Sequence, residues 1–223
     1  MRQVVLDTET TGLSPESGDR IVEIGCVELV HGVPSGRTYQ QYVNPERDVP
    51  EEVVAVHGLS GDFLSDHPPF ADIVDAFMEF LDDSTLVIHN AEFDMGFINA
   101  ELKRLGRQPL PLARTIDTVR MARQKFPGAP ASLDALCRRF EIDNTGRALH
   151  GALKDSHLLA KVYLELTGGR QADLALAGPA RRQGPANAAA TQRPARPHAP
   201  SAAETAAHDN FVKEKLEKPV WRD

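Results

Sequence analysis

The chain has 223 residues, of which 41% are hydrophobic, with a formal charge of −7 and a pI near 5.6. That length holds one substantial α/β domain and a tail. The acidic balance excludes a protein that coats nucleic acid by charge alone, so any such ligand is expected to be gripped locally with cations sharing the work. No apolar run approaches the roughly 20 residues that cross a membrane. Cys26 and Cys137 lie far apart without metal-ligand spacing and read as small buried thiols of a reducing compartment. The first residues already read as strand, so no signal peptide and a cytoplasmic location are expected.

The first predicted strand, Val4-Val5-Leu6, runs into Asp7-Thr8-Glu9 and then a turn at Thr10-Thr11-Gly12. Side chains two apart on a strand share a face, so Asp7 and Glu9 point the same way. Two such acids repel unless protons or cations come between them, and a hard divalent cation such as Mg²⁺ binds through one or two carboxylates. Standing alone, such a pair is a weak signal, since a solvated strand end explains most of them. Ile21 to Val30 reads as a second strand, His31 to Gly36 as a turn, and Arg37 to Val43 as a third strand, giving an antiparallel meander. Pro50-Glu51-Glu52 opens a short helix ending near His57-Gly58. Pro69 opens another, with Phe70, Ile73, Val74, Phe77, Phe80 and Leu81 at helical spacing. Leu86-Val87-Ile88 is a short buried strand leading into His89-Asn90. A helix from Ala91 to Leu105 is stopped by Gly106, and Arg114 to Thr118 is the last strand. Helices follow over Thr118 to Lys125, Ser132 to Phe140 and Gly151 to Thr167, with Gly168-Gly169 closing the last. This order predicts an α/β fold, a mixed sheet flanked by helices, with its site beyond the strand ends. The Ala-, Pro- and Gly-rich stretch 177–208 reads as a disordered, flexible linker. Apolar residues return in 209–223 as Phe211, Val212, Leu216, Val220 and Trp221. This segment is either a frayed tail or a peptide that folds onto a partner, and aromatic anchors favour the partner.

Two further acids stand where apolar residues are expected. Asp94 falls in the stripe Ala91, Ile98, Leu102, Leu105, and Asp155 in the stripe Ala152, Leu158, Leu159, Val162. Either alone reads best as a core acid paired with a base or an N–H. Together with Asp7 and Glu9 they suggest one four-acid cluster, because a core-facing carboxylate is costly unless paired or bound to metal. Four carboxylates can hold two divalent ions roughly 3.5–4 Å apart, a device for in-line phosphodiester displacement. His150 precedes Asp155 by five residues, which on a helix would set them roughly 140° apart. In the preceding loop it escapes that constraint. Imidazole, with an ordinary pKa of about 6.5, suits a general base near neutral pH, so a rate that rises as it loses its proton is expected.

These residues resemble the three motifs of the DEDDh exonucleases: Asp7-Thr8-Glu9-Thr10-Thr11-Gly12, then His89 to Asp94, then His150 to Asp155. Ser132 to Cys137, Glu141 to Asn144 and Leu149 to Gly169 narrow the resemblance to the proofreading exonucleases of bacterial DNA polymerase III, over about residues 1–170. The resemblance implies a ribonuclease H-like fold and 3′→5′ release of 5′-mononucleotides from DNA. It implies Asp7, Glu9, Asp94 and Asp155 as metal-binding catalytic acids for two Mg²⁺ or Mn²⁺ ions, with His150 as base. It further implies substrate contacts from Asp7, Glu9, Thr10, Thr11, Gly12, Glu52, His57, Asn90, Phe93 and Asp155. Exposed helix positions explain Glu52 and His57 equally well, and a core role explains Phe93. The implied partners are a DNA 3′ end, the polymerase III alpha subunit through 209–223, a sliding clamp through Gln171 to Leu176, and a small theta-like subunit. The competing reading keeps the catalytic core in a free-standing DNA- or RNA-trimming enzyme.

Overall fold

A computed structural model describes residues 1–145, 149–168 and 199–215. Its five-stranded sheet has the order β3-β2-β1-β4-β5. The central strand β1 (Arg2–Thr10) pairs antiparallel with β2 (Ile21–Val30) and parallel with β4 (Thr85–Ile88). β5 (Thr115–Asp117) extends the parallel side, and β3 (Val33–Tyr42) the antiparallel side. Val4, Val5 and Leu6 are fully buried, as a continuous apolar run in a strand covered on both faces must be.

The period-2 alternation of β1 sorts two cores. Val4 and Leu6 pack with Ile24, Phe70, Phe77, Leu86 and Ile98. This face is covered by α3 (Phe70–Leu81) and α4 (Ala91–Arg104). Val5 packs on the other face with Val27, Val87, Leu136, Leu159 and Val162. There the cover is α5 (Thr118–Lys125), α6 (Leu133–Arg139) and α7 (Ala152–Leu166). Ser132 caps α6 as its sequence predicts, its hydroxyl accepting from Ala135 N. α1 (Glu51–His57) ends where Gly58 turns left-handed, also as predicted.

Three elements depart from the sequence reading. β3 begins at Val33 rather than Arg37. His31 (φ 53°) and Gly32 (φ 79°) both adopt the left-handed conformation of a two-residue hairpin turn, so the strand resumes at once. Pro34, opposite Leu29, is compatible with this because β3 is an edge strand. A short helix, α2 (Gly61–Ser65), escaped notice although Ser60 caps it through Phe63 N. The third is α8 (Ala202–Lys215), which starts inside the stretch assigned to linker. Ser201 Oγ accepts from Glu204 N at 3.3 Å and Glu204 Oε2 accepts from Ser201 N at 2.8 Å, a reciprocal capping box. Alanine-rich sequence after such a cap favours helix. The peptide Gln171 to Leu176, the rest of the linker through residue 198, and Leu216, Val220 and Trp221 lie outside the described residues. No helix among the described residues is long and apolar enough to cross a membrane.

Candidate active site

The site forms where β1 and β4 end. Asp7 and Glu9 sit half-buried on one face of β1, opposite Gly25 and Glu23 of β2. The strand register then shifts between Glu9 and Thr10, and the chain turns away. Thr10 Oγ1 donates to Gly12 O at 2.6 Å, and Asp19 gathers the turn by accepting from Ser14 N at 3.1 Å and pairing with Arg47 at 3.0 Å. A Cβ on Gly12 would overlap the Asp19 carboxylate, so a larger residue there would have to displace Asp19 from its bonds to Ser14 and Arg47.

β4 delivers Asp94. After Ile88 the chain passes His89 and Asn90, and Asn90 caps α4 in the left-handed conformation (φ 73°, ψ 61°) that asparagine tolerates. Asp94 then lies in the first turn, 2% exposed. Thr8, between Asp7 and Glu9, donates to Asp94 Oδ1 from its backbone N at 3.0 Å and its hydroxyl at 2.8 Å. The strand tip therefore holds Asp94 directly. Burial pushes the Asp94 pKa up to about 7; the Thr8 bonds oppose this and the nearby Asp117 charge adds to it.

α7 delivers Asp155. Its N-terminus lies so close to β2 that a Cβ on Gly25 would overlap the backbone of Ala152 and Leu153. Ser156 Oγ donates to Gly25 O at 2.9 Å. Gly151 has no side chain to cap the helix, and Glu23 of β2 does it instead: Oε2 accepts from Ala152 N at 3.0 Å while Oε1 accepts from Gln40 at 2.8 Å. Asp155 is 3% exposed. The preceding loop is pinned to α1 by His150 N donating to Val56 O at 3.1 Å. His150 Nδ1 reaches Asp155 Oδ2 at 3.3 Å.

Glu9, His150 and Asp155 thus each present a ligand atom within 4.8 Å of the others. Asp94 is joined to this group through Thr8, and Asp7 through its place on β1. Carboxylates form a donor set suited to hard divalent cations, and a buried Asp94 with no basic partner among the described residues fits the same need.

The remaining sequence-predicted residues are spread around this centre. His57 is buried at the end of α1; its Nδ1 accepts from Leu59 N at 3.0 Å, and its buried Nε2 makes no hydrogen bond of normal geometry among the described residues, although the Thr10 backbone is near enough to act on the ring. Burial lowers its pKa below the ordinary imidazole value. His57 and His150 line one cleft of about 390 Å³ with Leu59 and Leu149. Glu52 is exposed in the first turn of α1, away from any described hydrogen bond. Phe93 is half-buried against the α3–α4 core, its ring 5.0 Å from that of Phe97. Glu23, Gly25 and Asp117 were missed in the sequence. Glu23 carried a usable signal, a charge within the apolar strand Ile21–Val30, the anomaly that exposed Asp94 and Asp155.

The exonuclease family model, RNase_T, matches residues 4–163. The chain is 58% identical over 174 residues to the DNA polymerase III subunit epsilon of Rickettsia conorii, covering 77% of this chain and 76% of that one. It is 47% identical over 177 residues to the subunit of that name from Escherichia coli, covering 76% and 72%. Among solved structures, Exonuclease X in complex with 5′ overhanging duplex DNA superposes with a TM-score of 0.58 at 26% identity, covering 74% of this chain and 90% of that one. The nuclease domain of 3′hExo, a DEDDh family member bound to rAMP, superposes at 0.64 with 21% identity over the same shares, a likeness of fold. The five-stranded mixed sheet is the ribonuclease H-like exonuclease fold.

Proposed function

The chain belongs to the exonuclease family, and on that footing we propose that it removes nucleotides from DNA 3′ ends as the proofreading epsilon subunit of DNA polymerase III. The observation that carries this is the convergence of Glu9, His150 and Asp155 within 4.8 Å at the strand tip that also grips Asp94. The family uses divalent metal ions, and bound cations supply charge neutralisation and Lewis acidity at the scissile phosphate. Asp7, Glu9, Asp94 and Asp155 are the residues that would hold them, two Mg²⁺ or Mn²⁺ ions in all.

His150 is the general base. With Nδ1 held by Asp155, Nε2 is the nitrogen that takes the proton of the attacking water. Asp155 fixes the ring and stabilises the imidazolium that results. The His57 tautomer that accepts at Nδ1 carries its hydrogen on Nε2, a buried donor suited to a phosphate or sugar oxygen of the terminal nucleotide. Glu52 accepts from a sugar hydroxyl, Thr10, Thr11 and Gly12 bring backbone to that sugar, and Asn90 and Phe93 flank the next nucleotide. The segment 209–223 binds the alpha subunit, Gln171 to Leu176 binds the sliding clamp, and a theta-like subunit joins the complex. A tether of this kind raises the effective concentration of a weakly binding nuclease at the primer end.

The test is digestion of a 3′-mismatched primer with Mg²⁺ or Mn²⁺ by the unaltered chain, Asp7→Ala and His150→Ala. Strong loss in both variants is expected, and equal activity in all three would overturn the assignment. No complex with the alpha subunit, or one that survives removal of 178–223 and so does not use the terminal segment, would favour the free-standing reading instead.

A further inference from the structure

A groove of about 690 Å³ opens beside the acids, beyond the ends of the parallel strands β4 and β5. It is within the roughly 300–1,000 Å³ of ligand clefts and occupies their usual place in such sheets. One wall starts at His89 and Asn90, the residues that lead into Asp94; the other is α5 with Arg120 and Arg123. His89 Nδ1 and Thr118 Oγ1, 2.8 Å apart, join the walls at the base.

The two arginines differ from most others among the described residues. Arg2, Arg20, Arg37, Arg47 and Arg104 pair with carboxylates, and Arg114 binds backbone carbonyls. Arg120 and Arg123 are exposed and make no ion pair or side-chain hydrogen bond among the described residues. Three apart on a helix, they lie on adjoining positions of one face, with Cβ atoms roughly 5–6 Å apart. Two acids also line the groove. Asp117 Oδ1 accepts from Val119 N (2.8 Å) and Arg120 N (3.2 Å) as the N-cap of α5, and Glu92 stands exposed beside Asn90. In a chain of net charge −7, two uncommitted cations facing one groove beside a phosphodiester-cleaving centre call for an anionic polymer.

We propose that this groove carries the single strand 5′ of the scissile phosphate, with Arg120 and Arg123 each neutralising a backbone phosphate. The proposal rests on the exonuclease reading. It makes the nuclease grip sequence-independent, since contacts of this kind position a strand without reading bases.

The test compares the full-length chain with Arg120→Gln/Arg123→Gln on two substrates. One is a single-stranded DNA dodecamer. The other is the p-nitrophenyl ester of thymidine 5′-monophosphate, which has no upstream phosphate. The double variant is expected to raise KM for the dodecamer by about tenfold or more relative to its KM for the ester. Its slope of log KM against log salt should shrink by about 1.4, at ~0.7 for each lost single-strand phosphate contact. Equal changes on both substrates, or none on the dodecamer, would overturn the groove assignment while leaving the exonuclease intact. A wild-type chain inactive on both would overturn the exonuclease reading and the groove with it.

Discussion

Helix α4 buries two acids seven residues apart, a spacing that places them on one face, and treats them in opposite ways. Asp94 and Glu101 are each 2% exposed. Glu101 receives a bidentate fork from Arg20 at 2.6 and 2.9 Å and a third bond from Arg104 at 3.0 Å. Among the described residues Asp94 is held by the N–H and hydroxyl of Thr8 and by no cation, and its proton is held up to about pH 7. Burial of an acid therefore does not mark the site. What marks it is a buried acid at the strand tip, beside other carboxylates, for which the described residues supply no cation, so that its charge awaits one from outside.

Breaking each acid in turn should separate these roles. Asp94→Asn keeps the Thr8 bonds available to an oxygen while removing the charge. Primer hydrolysis in single-turnover assays should fall by about three powers of ten, roughly 4 kcal/mol of transition-state stabilisation. The metal-free variant should be no less stable than the wild type at pH 8. Glu101→Gln should do the reverse. It leaves Arg20 with Pro45 O and the exposed Glu46 but without its buried counter-charge, and costs about 3 kcal/mol in urea unfolding, while kcat well below the melting temperature stays within about twofold. A Glu101→Gln enzyme as inactive as Asp94→Asn would erase the distinction between the two acids.

The same contrast has a pH signature in the metal-free chain. Asp94 has a folded pKa raised to about 7, whereas in the unfolded chain it titrates near the ordinary ~3.9. Between those values the folded state holds a proton that the unfolded state has lost. Stability therefore declines as pH rises through the window, by about 4 kcal/mol in all at ~1.4 kcal/mol per pKa unit, and levels off above it. Asp94→Asn should flatten that decline by one proton, and a divalent cation added at pH 8 should restore stability to the wild type alone. An identical slope in the variant would mean that another group titrates there.

The sequence revealed one half of this comparison and hid the other. Asp94 and Asp155 were legible because each interrupts an apolar helical stripe, and Asp7 and Glu9 because they end an apolar strand. Glu101 interrupts a helix too, but its partner Arg20 is 81 residues away, and only the folded chain reveals the pair. The strands and long helices followed from their periodicity, whereas β3 was cut short by reading Pro34 as turn without asking whether its strand was an edge. α8 was lost because an Ala- and Pro-rich composition masked the Ser201–Glu204 capping box. Which acid meets which helix end is a long-range fact, and the pairing of Glu23 with the start of α7 spans 129 residues.

Glu23 offers the smallest and most discriminating test, because it belongs to neither class. It is 3% exposed, but its oxygens are occupied by Ala152 N and Gln40, so it serves as a remote cap on the helix that carries Asp155. Glu23→Ala leaves the buried Ala152 N–H unsatisfied and should cost about 1–2 kcal/mol of stability. Because α7 starts between His150 and Asp155, loosening its first turn should also lower kcat by about three- to tenfold while KM for a mononucleotide ester changes little. Glu23→Gln keeps an acceptor for Ala152 N, and Gln40 can turn its carbonyl oxygen toward the new amide, so most of kcat should return. If Glu23→Ala lowers the melting temperature yet retains full kcat at 20 °C, the cap supports the fold alone and the placement of Asp155 depends on Gly25 and Ser156.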